Sequence, residues 1–87
     1  MYLILVYDVE QKRVSKVCKA LRQKLHWVQN SVFEGEVTPA TLRDIKTTLH
    51  SLIEPDRDSV LLYLIDNSRG YTKEVIGIER LETSTII

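Results

Sequence analysis

Six consecutive apolar positions, Tyr2-Leu3-Ile4-Leu5-Val6-Tyr7, stand near the start of the chain and stop at Asp8. A continuous run this short predicts a strand covered on both faces. The period then changes. Val14, Val17, Cys18, Leu21 and Leu25 recur at helical spacing, which predicts an amphipathic helix. Residues 27–37, rich in Trp, Val and Phe, read as one second strand with Gly35 as a bulge or bend near its end. Thr38-Pro39 is a helix start, hydroxyl at the cap and proline at the first helical position. Leu42, Ile45, Leu49, Leu52 and Ile53 form the stripe of that second helix, which ends before Pro55. Asp56-Arg57-Asp58 reads as a polar turn, and Val60–Ile65 as another doubly covered strand. After a loop over residues 66–70, Val75-Ile76-Gly77-Ile78 predicts a short fourth strand and residues 83–87 a fifth.

No repeat, linker or low-complexity tract divides the chain, so residues 1–87 form one domain with a tail strand within 78–87. With right-handed crossovers the economical α+β solution is a ferredoxin-like βαββαβ two-layer sandwich carrying an extra C-terminal strand. In that architecture two helices cover one face of the sheet and leave the other open. The first and third predicted strands are apolar at nearly every position, so both faces need cover. A second copy of the chain is the simplest cover, and a homodimer is expected. The apolar end Ile86-Ile87 suits an edge strand added to a sheet, its own or its partner's.

Charge sharpens this outline. The chain has 12 basic and 12 acidic residues, a net charge of zero, which argues against a protein that coats nucleic acid generally. Yet Lys12, Arg13, Lys16, Lys19, Arg22 and Lys24 fall within residues 11–25 without one acid. At about 100° per residue Lys12, Lys16 and Lys19 lie opposite the apolar stripe, with Arg13, Arg22 and Lys24 on its flanks. Such a face suits sequence-independent phosphate contacts or plain solvation. The N-terminal run is too short and too soon acidic for a signal peptide, and no stretch approaches a membrane span. One cysteine, Cys18, excludes an internal disulfide, fits a reducing cytoplasm, and falls on the apolar stripe of the first helix.

Asp8 is the main candidate for chemistry. A carboxylate at the end of a buried strand stands where open sheets place ligands. A hard cation such as Mg²⁺ takes carboxylate oxygens and keeps several waters, so one Asp from each of two protomers would suffice. Such a centre polarises a phosphodiester or activates water. Asp at a strand–helix junction equally suits an N-cap. Asp66 ends the strand at 60–65 in the same way and also suits a turn before Asn67-Ser68. His26, expected at a helix end, and His50, on a helix surface, show no metal spacing with each other or with Cys18. Ser31 has no nearby His for a triad, and three scattered glycines make no phosphate loop. Trp27 and Phe33 suit core or interface packing better than base stacking.

These residues together resemble a known family. Tyr7-Asp8 closing the first strand, the basic first helix, and Gln29-Asn30-Ser31-Val32-Phe33-Glu34-Gly35-Glu36 are similar to the second Cas family, small CRISPR-associated proteins of the spacer-acquisition machinery. The resemblance spans essentially the whole chain. It implies a ferredoxin-like homodimer in which Asp8 of each protomer faces its mate, serves as the metal site for Mg²⁺, and acts as the catalytic residue of any hydrolysis. It implies a central dimer that bridges two integrase dimers in a heterohexamer and spans the DNA to be inserted. It also implies a metal-dependent endonuclease activity on RNA or DNA in some members, with the scaffold role ranked above hydrolysis. Lys12, Arg13 and Lys16 are the expected nucleic-acid contacts, by position and charge. Trp27-Val28-Gln29-Asn30 stands where many relatives carry an arginine or lysine. Outside the family, the alternative is a ferredoxin-like regulatory or ligand-sensing module that binds no nucleic acid.

Overall fold

The structure is a computed structural model that describes residues 1–66 and 70–79. Seven elements follow in order: β1 (Tyr2–Asp8), α1 (Gln11–Arg22), β2 (His26–Gln29), β3 (Val32–Glu36), α2 (Pro39–Leu52), β4 (Ser59–Ile65) and β5 (Tyr71–Gly77). The strands form one antiparallel sheet in the order β2-β3-β1-β4-β5. The first four in sequence, β1–β4, are the ferredoxin-like βαββαβ core, with β2 at one edge, and β5 folds back on β4 as the extra strand at the other.

Four local expectations change. Residues 27–37 are a hairpin, β2 and β3, because Asn30 adopts a left-handed φ of 45° and reverses the chain. Asn tolerates that region better than most residues. The irregularity in pairing lies between Trp27 and Gln29, while Gly35 pairs regularly with Leu3. A Cβ at Gly35 would come within 3.2 Å of the Leu25 side chain, so the glycine serves close packing. The strand expected at 75–78 runs from Tyr71 to Gly77, and the one expected at 83–87 lies outside the described residues. Finally, His26 opens β2 instead of ending a helix.

Alternation sets the two faces of the sheet. Leu3, Leu5 and Tyr7 of β1, Phe33 of β3, Val60, Leu62 and Leu64 of β4 and Ile76 of β5 are buried in one core cluster. Val17 and Leu21 of α1 and Leu42, Ile45 and Leu49 of α2 close it from above. The predicted start of α2 is realised: the Thr38 hydroxyl accepts from the Thr41 amide at 3.1 Å, with Pro39 in the first turn.

Among the described residues no helix lies on the opposite face. Register places Val32, Val6, Leu61 and Val75 in one row across four strands, and Glu34, Ile4, Tyr63 and Lys73 in the next. The apolar character of β1 and β4 at alternate positions is therefore divided between a helix-covered core and an aliphatic band on the second face.

Candidate functional site at the end of the central strand

Asp8 is the last residue of β1 and pairs with Ser59, the first of β4. Two residues on from Val6, it shares the helix-free face and adjoins the Val32–Val6–Leu61–Val75 row. Its side chain is exposed. Helix α1 begins at Gln11 with Glu10 in the cap position and no side-chain cap bond, so the N-cap reading of Asp8 falls away. The strand simply outlasts the expected junction by one paired residue.

The preceding residue faces the other way. Tyr7 is buried against Phe33, with ring centroids 6.1 Å apart, and its hydroxyl lies 2.8 Å from Cys18 Sγ. Burial, and then the contact with Cys18, push the Tyr7 phenol up to about 12. Its backbone amide donates to the Ser31 carbonyl at 3.0 Å, which ties the β2–β3 turn to the end of β1. Cys18 thus packs against the core as its stripe position implied.

Behind the strand end lies a fully buried carboxylate, Asp58. It accepts from the Glu10 amide at 3.0 Å, the Glu54 amide at 2.8 Å, Arg13 Nε at 2.6 Å and Arg13 Nη2 at 2.9 Å. Arg13 also donates to Glu10 Oε1 at 2.9 Å, and Arg57 reaches Glu10 Oε2 at 3.4 Å. The Asp58 carbonyl accepts the Ile78 amide at 2.9 Å. The Arg13 guanidinium holds the Asp58 carboxyl well below the usual carboxylate range, and the two amides add to this against the opposing effect of burial. Two-point charged hydrogen bonding of this kind fixes geometry strongly.

Asp58 was hidden in the sequence as one acid of an apparent polar turn. The usable signal was its position beside the apolar strand at 60–65, matching the placement of Asp8 beside strand 2–7. The same ion pair separates the basic residues of α1. Lys12 and Lys16 are exposed, whereas the Arg13 side chain is only 15% exposed and turned onto Asp58. Lys19 and Arg22 continue the exposed cationic face into the last turn, and Lys24 lies beyond the helix. His50 is exposed on α2, Asp66 is exposed just after β4, and Phe33 is wholly buried. Trp27 is 54% exposed, and its indole N–H donates to the Asn30 carbonyl at 3.0 Å.

A resident cation would have to be built around Asp8. Among the described residues no three His, Cys, Asp or Glu side chains cluster as a ligand set. The donor chemistry of Asp8, an exposed carboxylate at a strand end, fits a hard cation such as Mg²⁺ that keeps most of its waters.

This arrangement has known counterparts. The family described as CRISPR associated protein Cas2 matches residues 1–71. The chain belongs to the Cas2 family. It is 51% identical over 87 residues to the CRISPR-associated endoribonuclease Cas2 of Thermococcus kodakarensis, covering all of both chains. It is 46% identical over 87 residues to the protein of the same name from Methanothermobacter thermautotrophicus, covering 100% of this chain and 96% of that one. The crystal structure of Streptococcus pyogenes Cas2 at pH 6.5 superposes with a TM-score of 0.70 at 38% identity, covering 78% of this chain and 89% of that one. Another Cas2 crystal structure gives 0.69, also at 38% identity, covering 93% and 97%. These matches do not favour a ligand-sensing module outside the family. Among the described residues no helix is long and apolar enough to cross a membrane.

Proposed function

We propose that this Cas2-family chain acts in CRISPR adaptation as a cytoplasmic homodimer that supports duplex DNA beside the integrase, as the centre of a heterohexamer with two integrase dimers. The observation that carries this reading is the helix-free sheet face, an aliphatic band across four strands with Asp8 at its rim. A second copy laid on that band would cover the half-buried Ile4, Val6, Tyr63 and Val75 beside the already buried Leu61, and bring two Asp8 side chains toward one another, since packed sheets lie about 10 Å apart. The exposed lysines of α1, Lys12 and Lys16, then supply phosphate contacts on the outer surface. Arg13 donates to Asp58 and Glu10 and contributes by shaping the helix start.

Paired Asp8 residues would hold Mg²⁺, which when bound polarises a phosphodiester and lowers the pKa of water. A second reading, metal-dependent cleavage of RNA or DNA, is favoured by the endoribonuclease names of the relatives. It ranks below the scaffold because one carboxylate per chain does not by itself supply a positioned general base.

Asp8→Asn separates the two. Purified parent and variant are incubated with Mg²⁺ and single-stranded RNA or duplex DNA, and both are tested for new spacers in cells that carry the integrase. The scaffold role predicts that Asp8→Asn still supports acquisition at near-parental frequency. Loss of acquisition together with loss of cleavage would make hydrolysis the function.

A further inference from the structure

Asp58 immediately precedes β4 and Asp8 ends the neighbouring β1, so the two lie at the same end of the sheet: Asp8 pairs with Ser59, the residue after Asp58. Asp58 is wholly buried, yet every hydrogen bond to its carboxylate comes from a segment boundary. Glu10 is the cap of α1, Glu54 follows α2, and Arg13 is in the first turn of α1. Its own carbonyl holds Ile78, just past the end of β5. Gly77, at φ 89°, lets that chain pass: a Cβ there would lie 2.2 Å from the Asp58 carbonyl oxygen. One residue therefore gathers the beginnings and ends of four elements.

The segment between Asp8 and Glu10 is a single residue, Val9. Ladder pairing to Ser59 holds one end of it and the Asp58 carboxylate holds the other. The direction in which the Asp8 side chain leaves the sheet is then set by two anchors two residues apart. Such anchors commonly matter to a metal centre as much as its direct ligands do.

We propose that Asp58, acting through the Glu10 amide and Arg13, is a positioning residue that sets where the Asp8 carboxylate is presented. The inference rests on the reading of Asp8 as a cation ligand. Asp58 touches neither cation nor nucleic acid. It works by holding the turn behind Asp8.

The test uses the full chain and Mn²⁺ alone as the probe, with binding followed by calorimetry in the parent, Asp8→Asn, Asp58→Asn and Arg13→Lys. Asp8→Asn should abolish the site; binding equal to the parent would overturn the cation reading itself. Asp58→Asn and Arg13→Lys, folded by circular dichroism, should bind about tenfold more weakly, in the range usual for residues that support metal ligands. Lys46→Met, which removes the ion pair from α2 to Glu74 of β5, should leave the affinity unchanged. Parental affinity in a folded Asp58→Asn would overturn the positioning role. A loss shared by Lys46→Met would reduce it to general stability and overturn it equally.

Two readouts need no metal. The ¹³C shift of the Asp8 carboxylate should move in Asp58→Asn or Arg13→Lys, and an unmoved resonance counts against the proposal. In the parent, the Glu10 amide should exchange with solvent as slowly as the amides of β1. Exchange at the rate of an open turn would overturn the proposal even if neither variant folds.

Discussion

At the scale of single residues, Tyr7 and Asp8 show how one peptide step separates structure from chemistry. Alternation sends the Tyr7 ring under the helices and the Asp8 carboxylate to the opposite face. Burial of the phenol beside Cys18 favours its neutral form, so its pKa stands above the usual 10 at about 12. The unfolded chain loses that proton first. Stability from Tyr7 is thus complete below pH about 10 and drains away as the pH rises through the folded value. Unfolding free energy followed by urea titration should fall between pH 10 and 12 in the parent. Tyr7→Phe should flatten that fall, and an unchanged alkaline slope in Tyr7→Phe would assign it to another group. Asp58 is the mirror case, a carboxylate whose charge is kept by Arg13 and two amides within a buried site.

At the scale of elements, helix α1 carries two kinds of basic residue that look alike along the chain. The spacing of Val14, Val17, Leu21 and the lysines defines its inner and outer faces. Arg13 lies on the flank, where its planar guanidinium reaches Asp58 with two nitrogens. Lys12 and Lys16 point to water. Reversing their charge as Lys12→Glu and Lys16→Glu should weaken binding to a duplex of arbitrary sequence. It should also reduce the slope of log affinity against log salt by about one per lost phosphate contact. Filter binding across a salt series measures this, and an unchanged slope would move the DNA surface off α1. The hairpin β2–β3 teaches a different lesson. Residues 27–37 have strand composition throughout, and only the left-handed φ at Asn30 divides them. Asn followed by Ser is a turn signal, but a run of valines and aromatics on both sides conceals it.

At the scale of the whole molecule, the apolar surplus of β1 and β4 is the feature on which the proposed dimer rests. One set of alternate residues, Leu3, Leu5, Val60 and Leu62, fills the core beneath the helices. The other set, Ile4, Val6, Leu61 and Tyr63, forms the band next to Asp8 on the open face. The proposed dimer buries this band, so a charge placed within it should break the assembly while sparing the core. Val6→Asp is expected to elute as a folded monomer in light-scattering chromatography where the parent runs at twice the chain mass. It should bind Mn²⁺ no better than Asp8→Asn. A dimeric Val6→Asp would place the contact on another face.

Periodicity alone established two helices, the strand ends at Asp8 and near Ile65, the α2 cap, and a sheet with more apolar surface than two helices cover. Those features depend on residue spacing, side-chain size and local capping, which are written along the chain. Tertiary structure decided what depends on contacts across it. It split 27–37 into a hairpin, assigned the cap of α1 to Glu10, lengthened the strand expected at 75–78 to Tyr71–Gly77, and turned Asp58 from a surface turn into a buried anchor for Arg13. Asp58 and Arg13 lie 45 residues apart, and no local pattern announces a partner at that distance. A charge is inside or outside according to whether the fold supplies its counter-charge, and only the assembled sheet end behind Asp8 does so.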